Sequence, residues 1–461
     1  MRDPFEQFKE DVSAFVGDTA LQQKISSARK QHLRGFEEAI TQFSNLETTK
    51  RRAAFFRWKA LENLDKFLIE FEANFIKSGG KIIWAQDAAE ACSEIMGIIL
   101  KSGEKSIVKS KSLTTEEIKL DEALKAGHVE WTETDLGQYI LQLANDKPTH
   151  MVMPAIHKSK EDVQQIFNDK LGVKSKNDAE ELAGIASKVL REKYVNPGIG
   201  ITGANFIIAD QGMVAITENE GNVMLAAAKP RIHIAIAGID KVIPSLSDLH
   251  VFWPLLATYG TGQKLTAYNS LLKGPRKNGE VDGPQEMYVV LIDNGRSKVI
   301  ADELQRSVLS CIKCGACLYN DPVYSIIGAK PYRSAWMGPP GNVVLPNING
   351  MKSHGFYNHL STLSASDTEW CPVNINFNKL LLDNRRKAVD EQATGTTEKM
   401  FYFLWKKAMM KRDIINWKSV KTGSFFMNNI FIKSPLGLRK MPSPAKESFN
   451  ALWRKRINGG S

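Results

Sequence analysis

Four cysteines constrain this chain more than any other feature. Cys311, Cys314 and Cys317 stand in a C-x₂-C-x₂-C run, and Cys371 lies further on, followed by Pro372. Three thiolates at that spacing can bind three irons of one cubane, and Gly315 and Ala316 leave room for the inorganic core. A bacterial ferredoxin run would add a fourth cysteine directly before a proline; here Asp321 stands before Pro322. In two-cluster ferredoxin folds the Cys-Pro cysteine of each run serves the other run's cluster. The set Cys311, Cys314, Cys317 and Cys371 is therefore complete for one [4Fe–4S] cluster. Counting back from Cys371, the places where a second cluster would draw thiols hold Ser364 and Asp367, and with Asp321 none of the three is cysteine. Two other metal readings are weaker. Structural zinc usually takes two well-separated cysteine pairs. Oxygen ligation of another metal by Asp321, Ser364 and Asp367 competes with a filled or solvated void.

The fifth cysteine, Cys92, sits in a helical pattern and reads as a small buried hydrophobe. Clustered cysteines in a reducing compartment point to metal rather than disulfides. The N-terminus lacks a signal-like apolar run, and no stretch reaches the roughly 18 uninterrupted apolar residues of a membrane span, so a soluble, cytoplasmic protein is expected. Apolar residues make up 43% of the chain, enough to fold without a disulfide framework. Charge is uneven: residues 391–461 hold 14 Lys/Arg against 4 Asp/Glu, equal to the whole net charge of +10. Such a tail suits an acidic partner or peripheral contact with an anionic membrane, or remains a solvated tail; no nucleic-acid role is expected.

The hydrophobic period divides the chain into four. Residues 1–78 read as helical, with Leu61, Leu64, Leu68, Phe71 and Phe75 on one face and Gly79-Gly80 ending the last helix. Residues 79–295 alternate short β-rich runs with helical ones, which predicts an α/β domain with a parallel sheet. The expected strands are 81–84, 107–109, 129–131, 150–156, 205–209, 214–217, 231–236, 265–270 and 287–292, with a hairpin at Asp210-Gln211-Gly212. Residues 296–390 hold the cysteines, with a helix over 298–309, mostly loop over 320–352, and a helix to about 389. The basic region 391–461 carries short helical pieces near 398–412 and 445–456.

Gly198-Ile199-Gly200-Ile201-Thr202-Gly203 matches G-x-G-x-x-G but follows a helix and precedes a strand, the reverse of a dinucleotide site. Its glycines are expected to allow tight entry into the sheet. Lys109-Ser110-Lys111-Ser112 follows a strand end, where a carboxylate or phosphate could be held; a helix cap with solvated lysines is the simpler alternative. Glu220 and Asn222, in a turn, are candidates for the same ligand crevice. His157 and His233 read as packed or hydrogen-bonded, and spacing identifies no catalytic triad or carboxylate pair.

Several runs carry a resemblance over nearly the whole chain to the lactate utilisation protein B family, iron–sulfur proteins of bacterial L-lactate oxidation. They include Gly79-Gly80-Lys81-Ile82-Ile83-Trp84-Ala85, Glu133-Thr134-Asp135-Leu136-Gly137, Pro154-Ala155-Ile156-His157-Lys158, Gly200-Ile201-Thr202-Gly203-Ala204-Asn205-Phe206 and Phe449-Asn450-Ala451-Leu452-Trp453-Arg454. The resemblance implies an α/β domain similar to sugar-phosphate isomerase and CoA-transferase folds, then an α-helical ferredoxin-like domain. It further implies two partner subunits, one with a cysteine-rich domain and one with a lactate-utilisation domain, a redox carrier, and oxidation of L-lactate to pyruvate. Family members typically carry seven cysteines for two clusters, so the departures at Asp321, Ser364 and Asp367 leave one-cluster electron transfer. A non-redox scaffold with a structural metal is the alternative.

Overall fold

Strands in a parallel sheet are covered on both faces, so their residues alternate between two apolar layers. A computed structural model of the chain describes residues 3–195, 197–393, 395–410, 447 and 449–458. Among the described residues ten strands form two sheets: β1 (Lys81–Ala85), β2 (Ile107–Lys109), β3 (Trp131–Glu133), β4 (Ile199–Gly203), β5 (Phe206–Ile208), β6 (Met213–Glu218), β7 (Ile232–Gly238), β8 (Val242–Ile243), β9 (Tyr268–Leu272) and β10 (Glu286–Ile292). The larger sheet runs β1-β10-β7-β4-β2-β3, every pairing parallel. Ile232, Ile234 and Ile236 of β7, with Val290 and Ile292 of β10, pack under helices Ala88–Ser102 and Leu120–Ala126. Ala235, Ala237, Val289 and Leu291 face the opposite layer, with Phe67, Phe71 and Phe75 of helix Leu64–Lys77. The smaller sheet, β8-β5-β6-β9, contains the expected hairpin: Phe206 pairs with Ala215 and Gly212 turns at φ +58°.

The glycine motif supplies a strand of the sheet rather than only an entry into it. Gly200 lies in β4, where an added Cβ would stand 1.7 Å from the Ala226 carbonyl oxygen. The absent side chain lets helix Asn222–Ala228 seat directly on the sheet. Gly200→Ala is expected to cost about 3 kcal/mol, because rigid backbone must move to admit the methyl; urea denaturation measures it.

Three expected elements differ. Residues 150–156 form turns instead of a strand: Pro154 has no N–H to give a ladder, and His150 Nδ1 accepts from Val152 N and Met153 N at 3.0 and 3.1 Å. The helix expected over 298–309 splits into Arg296–Ile300 and a 3₁₀ segment Gln305–Ser310. Asp302 Oδ1 causes the break by accepting from Leu304 N and Gln305 N, a local bond that competes with the helical ladder. The proline-rich stretch 320–352 is mostly helical, with Pro322–Ile327 and Gly338–Asn349. Its prolines fall largely in first turns, where no N–H is needed.

The chain divides into two compact units, Met1–Lys387 and Ala388–Ser461. The first holds both sheets, helices Pro4–Phe15, Thr19–Ala39, Leu46–Glu62 and Leu64–Lys77, and all five cysteines. The second contains helices Thr396–Met409 and Phe449–Asn458; the rest of the basic tail, with parts of the expected helices at 411–412 and 445–446, lies outside the described residues. Among the described residues no helix is long and apolar enough to cross a membrane.

Candidate functional site

The loop from Cys311 to Cys317 bends through left-handed backbone at Lys313 (φ +54°) and Gly315 (φ +79°). That bend lets Lys313 N donate to Cys311 Sγ at 3.3 Å, and helix Ala316–Asn320 carries Cys317. Cys371 follows helix Ser366–Glu369, and its sulfur accepts from Ile375 N at 3.4 Å. Cys314, Cys317 and Cys371 are buried and Cys311 half-buried, all against one apolar core. Burial pushes the thiols of Cys314 and Cys317 far up and that of Cys371 to about 12. Charge on Cys311 would raise all three further. The fold thus gathers four thiols from two segments into mutual electrostatic reach. Among the described residues no three His, Cys, Asp or Glu side chains converge on a point as ligands of one ion would. Cys92 lies apart, its thiol donating to the Ile118 carbonyl at 3.3 Å.

The two segments are joined by a helix that sequence reasoning left without a role. Helix Leu46–Glu62 buries Lys50 and Arg57, seven residues and two turns apart on one face. Lys50 Nζ donates to the Glu369 carbonyl, just before Cys371, at 2.9 Å. Arg57 donates to the carbonyls of Leu309 (2.9 Å) and Ser310 (3.2 Å), just before Cys311, and also to those of Val242 (2.8 Å) and Asp240. One rigid rod therefore spaces the start of the cysteine loop from Cys371. Behind the loop, Arg296 pairs with Asp240 and grips Glu117 by two bonds of 2.8 Å. Lys313 lies over the Trp336 ring at 3.9 Å from its centroid. Buried Arg57 and Lys241 are attracted to charge on Cys311, and Lys50 favours charge on Cys371.

Asp321 and Asp367 are buried and close enough for Asp367 to resist ionisation of Asp321, while Ser364 is exposed and bonds Ser366 Oγ at 3.0 Å. Asp321 caps helix Pro322–Ile327 through Val323 N, but its Oδ2 is buried with no partner among the described residues. Burial, partly offset by that cap bond, pushes its carboxyl up to about 7. A carboxyl raised in the native state binds more protons there than when unfolded, so its contribution weakens as pH climbs from about 4 towards 7. Asp321→Asn keeps the cap acceptor and removes the charge. It is expected to stabilise the protein by about 2 kcal/mol at pH 8 and by little at pH 4, read from denaturation at the two pH values.

A cavity of about 390 Å³ lies between the cysteine loop and the carboxyl ends of β2 and β4, the usual place for ligands in open parallel sheets. Ile312, Lys313 and Cys314 form one wall; Lys111, Glu220 and Asn222 line it from the sheet side, as do Lys241 and Asp135, which sequence reasoning did not single out. Burial lowers the Lys111 amine, and takes that of Lys241 down to about 8 against the pull of Asp240. Burial, with Asp135 adding to it, lifts Glu220 to about 7. Lys109 stands elsewhere. It is buried between Glu133 and Asp121, the latter at 3.2 Å, and does not line the cavity. His157 bonds Thr149 Oγ1 and Asp146 Oδ2, and His233 bonds Thr202 Oγ1, both structural roles.

Residues 68–292 match the LUD domain model. The chain is 37% identical to lactate utilization protein B of Geobacillus sp. (strain WCH70), over 98% of each chain. It is 40% identical to lactate utilization protein B of Bacillus subtilis (strain 168), over 84% of this chain and 80% of that one. A crystal structure of a DUF162 family protein from Deinococcus radiodurans aligns over 50% of this chain and 98% of that one, at 12% identity and a TM-score of 0.28, too loosely to bear on the fold.

Proposed function

Because the chain belongs to the lactate utilisation protein B family, we propose that it is the iron–sulfur electron-transfer subunit of a system oxidising L-lactate to pyruvate, with one [4Fe–4S] cluster. Cys311, Cys314, Cys317 and Cys371 would hold the cluster, which supplies one-electron chemistry when bound. The observation that carries this reading is the gathering of four thiols, three of them buried, in one core. Backbone N–H groups of Lys313 and Ile375 point at two of the sulfurs, the kind of bond that tunes such clusters. Arg57 and Lys50 fix the two segments, and the apolar core around the thiols restricts water.

Partners would be two further lactate-utilisation subunits and a redox carrier in the cytoplasm, with the basic tail available for docking. The non-redox scaffold reading predicts a metal that does not respond to mild reductant. Anaerobically purified protein mixed with its partner subunits tests the two. L-lactate is expected to produce the EPR signal of a reduced cluster, and Cys314→Ser to abolish it. A bound metal with no response to either lactate or dithionite overturns electron transfer.

A further inference from the structure

The cavity beside the cysteine loop presents more hydrogen-bond donors than the described chain uses. Ser110, which directly follows β2, is wholly buried, lines the cavity, and its hydroxyl has no partner among the described residues. Lys111 reaches the Val152 carbonyl at 2.7 Å, and an ammonium has three donors. Lys241, almost wholly buried, reaches the Cys311 carbonyl only at 3.4 Å and Asp240 only at 4.0 Å. Glu220 and Asp135 lie within electrostatic reach of Lys111 and provide acceptors in the same cavity.

This pattern selects a ligand. Buried donors left unused cost free energy until an acceptor fills them, and lysines favour an anion. The lining carries three amines (Lys111, Lys241, Lys313) against three carboxyls (Asp135, Glu218, Glu220), a balance that admits one negative charge more readily than two. We infer that the cavity binds a short 2-hydroxy- or 2-oxo-carboxylate, its carboxylate on Lys111 and the Ser110 hydroxyl and its second oxygen on the Glu220 side. The volume suits a small molecule with accompanying water. Cys314 in the wall sets that ligand directly beside the cysteine set. The choice of acid rests on the lactate reading above; the site itself rests on the cavity.

Isothermal titration of the anaerobically purified full chain tests it, with L-lactate, pyruvate, propionate and inorganic phosphate as the probes. Lactate or pyruvate is expected to bind saturably, and propionate, which lacks the second oxygen, about tenfold more weakly. Lys111→Met should weaken binding by about tenfold or more. Ser110→Ala deletes a hydroxyl that bonds nothing in the described chain, so the fold is expected to survive it and any loss of affinity reports the ligand. The inference is overturned if neither lactate nor pyruvate binds, if phosphate alone binds, or if both variants bind unchanged. Iron content, measured on the same sample, separates this outcome from failure of the cluster assignment: binding without iron sinks only the cluster, and iron without binding sinks only the site.

Discussion

Cys371→Ala is expected to remove the [4Fe–4S] signal altogether, leaving at most about three irons per chain, although the C-x₂-C-x₂-C loop stays intact. The reason is the division of labour between the two segments. The loop supplies Cys311, Cys314 and Cys317, and the fourth thiol in reach of Cys311 comes only from beyond residue 370. Asp367 stands within electrostatic reach of Cys317 and Asp321, but a carboxylate does not replace the thiolate that holds such a cluster. Cys92→Ala is the matched control. Its thiol bonds Ile118 in a separate apolar layer, so iron content should not change. Iron analysis and EPR of the two variants, purified anaerobically side by side, read the difference.

Arg57→Met is expected to cost about 4 kcal/mol and to lower cluster retention at the same time. Its guanidinium serves four carbonyls at a fully buried position, and methionine leaves them all unsatisfied. Arg57→Lys should not rescue, because an ammonium on a single stem cannot reproduce the planar fork. Lys50→Met, with one backbone acceptor near Cys371 and an exposed Glu47 as its ion-pair partner, is expected to cost about 2 kcal/mol. Urea denaturation gives the stabilities, and iron per chain before and after gel filtration gives retention. Equal iron retention in Arg57→Met and the unaltered chain would show that the helix does not position the cysteine segments.

Much of this was legible in the residues, and what was not has physical causes. The parallel sheet announced itself through apolar runs such as 232–236 and 287–292. The cysteine spacing marked the loop, and Lys111, Glu220 and Asn222 were placed on one cavity. β4 was hidden because its glycines look like an entry into the sheet, whereas Gly200 clears space for the Ala226 carbonyl. Lys109 misled for the opposite reason: a lysine at a strand end looks free, but Glu133 and Asp121 fold onto it. The helical character of 320–352 was masked by prolines whose permissive first-turn positions depend on helix register. Lys50 and Arg57 were unreadable as a clamp because their acceptors are carbonyls of the cysteine segments, and backbone acceptors leave no mark in sequence. The same holds for Asp240, whose partner Arg296 reaches it only in the fold.

The central claim is that four thiols hold one cubane and that the ground around Asp321 and Asp367 holds none. Iron and acid-labile sulfide, quantified per chain on anaerobically purified protein, test it most directly. The account requires about four of each; about eight irons, or zinc with no sulfide, would contradict it.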